Sequence, residues 1–167
     1  WSPDTRKWQR VLPGIPFISN EGDEFDYDWG CIYTAANPIF LEDEIRIFYG
    51  GSDGLHTGWR NGFLCLATLR PDGFAGYRAN EEPASIITKP VINGEQFKVS
   101  ADIQEEGELV VRLLNEQRDI ISESQVFTES VTDKKIIWQM KIDVDDVKNG
   151  RLQFIFRNAT IYSFCAQ

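Results

Sequence analysis

The feature that most constrains this chain is a two-residue rhythm of apolar and polar side chains running through its second half. Phe97, Val99 and Ala101 alternate with polar neighbours, as do Leu109, Val111 and Leu113. Ile136, Trp138 and Met140 repeat the pattern, followed by Leu152, Phe154 and Phe156, then Tyr162 and Phe164. Successive side chains of a strand point to opposite faces, so each run offers one face to a core and one to water. Helical periodicity is nearly absent, and the one stretch that suits a helical turn, 143–148, is short. Turn chemistry falls between the runs at Asn93-Gly94, Glu106-Gly107, 115–118 and Asn149-Gly150. Short alternating strands at these intervals predict a small antiparallel β-sandwich over residues 81–167. Each large apolar side chain taken out of water contributes ~1.5–3 kcal/mol, enough in sum to hold such a module together.

The first half is also strand-rich. Residues 32–36, 45–49, 63–69 and 74–78 read as four short strands, with a hairpin turn at Glu42-Asp43 and a tight turn at Pro71-Asp72-Gly73. Four consecutive antiparallel strands of this length make one propeller blade. A long loop, 50–62, carries Asp53, His56 and Trp59. At the start, the turn sequence Ser2-Pro3-Asp4 leads into Trp8-Gln9-Arg10-Val11, which reads as half of a hairpin whose partner lies upstream of Trp1. The expectation is an all-β chain: a partial β-propeller over residues 1–80, one blade and part of another, followed by the sandwich. The boundary is placed at Asn80-Glu81-Glu82-Pro83, where proline and paired acids discourage continued pairing.

Composition removes several function classes. Hydrophobic residues are 42% of the 167, which supports a packed core. The net charge is -9, with acid in excess in both halves, so there is no basic face for phosphates and no nucleic-acid partner is expected. The same sign disfavours an anionic membrane surface, and no apolar run approaches a membrane span. Cys31, Cys65 and Cys165 each sit in an apolar run at spacings that match no zinc pattern. They read as small buried hydrophobes, with room for one bridged pair. In the acidic stretch Glu21, Asp23, Glu24, Asp26 and Asp28, counting twelve from Asp26 reaches Asn37 where a calcium loop needs Glu. It reads as a solvated loop, and no metal or cofactor is implied. Asn158-Ala159-Thr160 is a glycosylation sequon inside a strand pattern.

Several runs carry a family likeness. These are Ser2-Pro3-Asp4 with Trp8, Tyr27-Asp28-Trp29-Gly30-Cys31-Ile32-Tyr33, Ile47-Phe48-Tyr49-Gly50-Gly51, and His56. In that order and spacing they resemble the closing blades of the five-bladed propeller glycosidases of glycoside hydrolase families 32 and 43. Residues 66–74, Leu-Ala-Thr-Leu-Arg-Pro-Asp-Gly-Phe, resemble the last hairpin of such a propeller. Thr88-Lys89-Pro90 and residues 158–164 resemble the appended sandwich. The resemblance implies a secreted or extracellular protein in which the sandwich braces the closing blade. It also implies that the catalytic carboxylates come from earlier blades, so no catalytic residue carries over to this sequence.

What the resemblance does imply is part of a sugar pocket. Asp28 would lie at the inner end of a strand, where a carboxylate accepts hydrogen bonds from vicinal hydroxyls. Tyr33 and His56 would add polar contacts, and Trp59, with Trp29 as an alternative, would stack on a pyranose. Trp8 and Trp138 read as packing residues. Ser52, Asp53 and His56 lie within one loop but lack the strand–turn–helix elbow of a serine nucleophile.

The expected function is a non-catalytic C-terminal fragment of a glycan-processing or glycan-binding protein. By itself it is expected to hydrolyse no glycoside, because that chemistry needs two opposed carboxylates. Two alternatives stand beside it. The chain is part of an active glycoside hydrolase whose carboxylates lie upstream, or it is a free-standing module whose open sheet edge pairs with a second copy. A single blade buries too little to stand alone, so the partners expected are the missing upstream blades or a second copy in a homo-oligomer.

Overall fold

The computed structural model describes residues 2, 4–20, 22–91, 96–142 and 149–166. The helical turn expected at 143–148, the Asn93-Gly94 turn, Trp1, Pro3 and Glu21 lie outside them. The described residues contain no helix and form two antiparallel sheets. The chain divides into two compact units, Trp1–Pro71 and Asp72–Gln167.

In the first unit, β1 (Cys31–Thr34), β2 (Ile39–Phe40), β3 (Ile45–Ser52) and β4 (Gly62–Leu69) build a four-stranded sheet around β3. β1 and β2 occupy successive stretches of one edge of β3, and β4 covers the other from Ile45↔Leu69 to Ser52↔Gly62. The β2–β3 hairpin closes at Glu42-Asp43, where the Leu41 N–H donates to the Glu44 carbonyl at 2.9 Å. Apolar residues on one face of β3 and β4 alternate inward, with Ile45, Tyr49 and Cys65 buried.

Two expectations for this half are corrected. The strand expected at 74–78 does not join this sheet; β5 (Tyr77–Ala79) pairs with the last strand of the second unit. Among the described residues no strand precedes Cys31, and residues 8–11 are in none of this chain's sheets. The Asp4 carboxylate accepts from the N–H groups of Arg6 and Lys7, both at 2.9 Å, which curls the segment into an Asx turn that competes with extension. Trp8 is not a packing residue: it is 70% exposed, with its indole N–H donating to the Thr5 carbonyl at 3.1 Å.

The second unit is a six-stranded sheet of β5, β6 (Ala84–Ile87), β7 (Phe97–Leu114), β8 (Ile120–Glu123), β9 (Val131–Lys135) and β10 (Arg151–Ala166). Its spine is the β7–β10 pair, which runs from Leu114↔Arg151 to Phe97↔Ala166 with two shifts of register. β5 and β6 lie along the outer edge of β10, and β8 and β9 along that of β7. The expected reversal at Glu106-Gly107 is a bend, and β7 runs straight through it. A Cβ on Gly107 would sit 2.5 Å from the Asn158 carbonyl oxygen, so only glycine admits the two strands this close. Glu106 and Asn158, at φ 57 and 43, take up the left-handed turn on either side.

The bend makes one core from one sheet face. Phe97, Val99, Ala101 and Ile103 lie before it and Leu109, Val111 and Leu113 after it, all in a single buried cluster with Leu152, Phe154 and Phe156. In β10 the register slips between Arg157 and Ala159 and again between Ile161 and Ser163. The inward set therefore moves to Ala159 and Ile161, and Tyr162 and Phe164 are not core residues as their alternation suggested. Tyr162 instead donates to Asp102 at 2.9 Å. Residues 136–140 form no strand; Ile136 is buried, Trp138 packs edge-on against Phe97 at 6.0 Å, and Met140 is exposed.

The two compact units divide between Pro71 and Asp72. Asp72 accepts from Ser163 at 2.7 Å and from Ser100 at 3.3 Å, which binds the chain to the second sheet as soon as the first ends. All three thiols are free, with Cys65 buried and Cys31 and Cys165 half-buried.

Candidate functional site

One cross-strand row of the first sheet lacks a side chain in its middle. Tyr33 on β1 and Leu64 on β4 flank Gly50 on β3. A Cβ built on Gly50 meets only the Tyr33 carbonyl, at 3.9 Å, so the floor between the two flanks is bare backbone with open space above it. The next row, Cys31, Ser52 and Gly62, is also low. The result is a slot of about 550 Å³ whose far wall is Gly58, Trp59, Arg60 and Asn61.

The loop that supplies this wall is held from within. Asp53 accepts from the Asn61 side-chain amide at 2.7 Å and from its backbone N–H at 2.8 Å. Those two bonds, the amide first, hold the Asp53 carboxyl below its usual range. Arg60 donates from one guanidinium nitrogen to the His56 carbonyl at 2.8 Å, and the Ser52 hydroxyl donates to the Gly54 carbonyl at 2.9 Å. Gly30 lets the loop approach β1, since a Cβ there would lie 2.0 Å from the Gly54 oxygen.

Three of the four expected site residues meet here. The Tyr33 hydroxyl lies 2.6 Å from His56 Nδ1, with the rings tilted at 6.4 Å. The Cys31 thiol beside it is the main cause of an upward shift of the Tyr33 phenol, with partial desolvation second. Trp59 lines the slot and is 94% exposed, a large apolar ring presented to solvent.

Asp28 is elsewhere. A Cβ on Gly51, the next residue along β3, would meet Asp28 Cβ at 2.9 Å and Cys65 Sγ at 3.0 Å, which puts Asp28 on the opposite face from Tyr33. It is 7% exposed and accepts from the Tyr49 hydroxyl at 2.8 Å. Burial first, and the Asp28 carboxylate second, raise the Tyr49 phenol far above its ordinary value. The Asn20 amide donates to the Asp28 and Trp29 carbonyls at 2.9 and 3.2 Å, fixing the segment behind the floor. Asp28 thus anchors the sheet from below rather than lining the slot.

Ser52, Asp53 and His56 are not joined; their bonds go to Gly54, Asn61 and Tyr33 respectively. Trp29 packs near Phe25, at 5.9 Å between rings. Among the described residues no three His, Cys, Asp or Glu side chains gather as a metal site. The sequence reading missed Gly50, Arg60 and Asn61. The signal was present: a Gly-Gly pair inside a strand marks a place where something approaches the backbone. Compared with protein-family models, curated proteins and solved structures, the chain matches none.

Proposed function

We propose that the chain binds carbohydrate without cleaving it, as a module related to the propeller–sandwich glycosidases that its motifs resemble. In this reading the first sheet is a propeller-type blade and the curled second sheet is the appended sandwich. The observation that carries it is Trp59, an almost fully exposed indole on the wall of a slot floored by bare backbone. An exposed aromatic face beside hydrogen-bonding groups is the arrangement that suits a pyranose, which has an apolar face and a polar rim. Tyr33 and Asn61 supply the polar groups.

The non-catalytic part of the reading rests on the carboxylates. Glycosidic cleavage needs two of them on opposite sides of the bond. No Asp or Glu lines the slot among the described residues; Asp53 is engaged by Asn61, and Asp28 lies behind the floor. A shallow slot buries few ligand atoms, so the expected affinity is on the order of millimolar. A glycan array with Trp59→Ala and Gly50→Leu variants tests the reading. Binding should fall in both variants, since one removes the platform and the other fills the floor. Signals unchanged in both would remove the site from consideration.

A second reading, a self-associating module, is favoured by β4. Its eight residues carry no charge, its only strand partner among the described residues is β3, and Leu64 is 83% exposed. Uncharged open edges invite pairing with another chain. Sedimentation showing a monomer at high concentration would dismiss it.

A further inference from the structure

The slot contains a cation that its surroundings leave uncompensated. Arg60 is the only Lys or Arg lining it, and no ion pair joins Arg60 to a carboxylate among the described residues. One of its guanidinium nitrogens is committed to the His56 carbonyl, which orients the group without neutralising it. Asp53, the acid of the same loop, makes its hydrogen bonds to Asn61 and forms no ion pair with Arg60. The slot lining contains no Asp or Glu, so the guanidinium is the one charged group an incoming ligand meets there.

We infer that the slot selects a sugar bearing a carboxylate, a uronic acid, with Arg60 as the receptor for the acid group. This rests on the carbohydrate reading above and narrows it. The planar guanidinium fork matches a carboxylate with two parallel N–H donors. A single cation balances a single charge, which suits a monoanionic carboxylate better than a phosphate dianion in an acidic field. Trp59 adjoins Arg60 in the chain and lines the same wall, so the ring platform and the acid receptor stand side by side. Tyr33, 2.6 Å from His56 Nδ1, also interacts with the Arg60 side chain, so the phenol helps to set the guanidinium at the slot.

Calorimetry on the full chain at pH 7 tests this, with a neutral galactose oligomer and its galacturonate counterpart titrated in parallel. The uronate should bind about tenfold tighter, and raising the salt should shrink the advantage. Arg60→Gln should abolish the advantage, so that within this variant the uronate binds no more tightly than the neutral oligomer. Arg60→Lys should keep part of it, because charge remains and the fork is lost. Trp59→Ala should weaken both ligands alike. Equal affinity for the two ligands in the unmodified chain overturns the inference and leaves the carbohydrate reading standing. So does an Arg60→Gln variant that weakens both ligands equally, which would make Arg60 a support for the loop. Binding of neither ligand overturns both readings.

Discussion

The two units place their large apolar residues in opposite ways. In the second, one face of a bent sheet gathers Phe97, Leu109, Val111, Leu113, Leu152, Phe154 and Phe156 into a single core. In the first, buried Ile45, Tyr49 and Cys65 line one face of the sheet, while Tyr33, Leu64 and Leu66 are exposed on the other. The chemistry follows the same division. The slot, the His56–Tyr33 pair and Arg60 all belong to the thinner unit. An uncovered face has room for a ligand because it has given up the packing that would stabilise it. The comparison therefore separates a unit that carries stability from one that carries a surface.

The largest effect should come from the packed unit. Phe156→Ala removes a side chain that is 1% exposed, and should cost about 3–5 kcal/mol in urea unfolding. Leu64→Ala, on the open face, should change stability by no more than about 0.5 kcal/mol. Comparable losses would mean that Leu64 is covered in solution, and would favour the self-association reading.

Within the first unit the strongest single tie is between Tyr49 and Asp28. Tyr49→Phe takes the hydroxyl from a buried carboxylate and should cost about 1–3 kcal/mol, leaving the acid without that donor. The same pair sets an alkaline limit. The Tyr49 phenol is raised above its ordinary value of 10.0, so its neutral form is the one the fold favours. That contribution is fully present below pH 10 and is lost as pH rises beyond it through the folded value. Stability followed across the alkaline range should fall more steeply in the unmodified chain than in Tyr49→Phe. Parallel curves would show that this pair does not set the limit.

How much of this was legible follows from the kinds of signal involved. The strands expected at 45–49 and 63–69, and the two runs 97–101 and 109–113 that both fall within β7, were readable because alternation is a local property, written one residue at a time. The bend was not, because Glu106-Gly107 has turn composition and nothing local separates a bend from a reversal. One clue survived: the inward residues keep odd numbers from Phe97 to Leu113, as a continuous strand requires. In β10 even that clue fails, since two register slips move the inward set and make Tyr162 and Phe164 look like core. The destination of β5 depends on a partner dozens of residues away, which no window over 74–78 contains. Of the expected sugar contacts, Tyr33, His56 and Trp59 were named by residue type and loop position, and all three lie in the sheet-and-loop region of the slot. Asp28 lies on the opposite face, because a one-residue difference in alternation decides which face of a strand an acid reaches. Gly50 was missed because the slot is defined there by an absent side chain.

The smallest effect is expected at Asp53, and it sharpens the contrast by acting on the slot alone. Asn61 holds this carboxyl below its ordinary value of 3.8, by its side-chain amide first and its backbone N–H second. A depressed folded value means that the contribution is present above pH 3.8 and lost as pH falls through the folded value. The group is solvent-exposed, so global stability should barely register the change. The loop should: with Asp53 protonated, the two bonds that close residues 53–61 weaken, and the wall carrying Trp59 and Arg60 loses its tether. Amide resonances of Trp59 and Asn61 should shift below pH 4, while those of Val111 and Leu113, in the packed sheet, hold until global unfolding. Asp53→Asn should remove most of the pH dependence of the loop resonances. If the loop and the packed sheet instead moved together in acid, the loop would not be a separately tethered part of the molecule. The division between a unit that carries stability and one that carries the slot would then have to be redrawn.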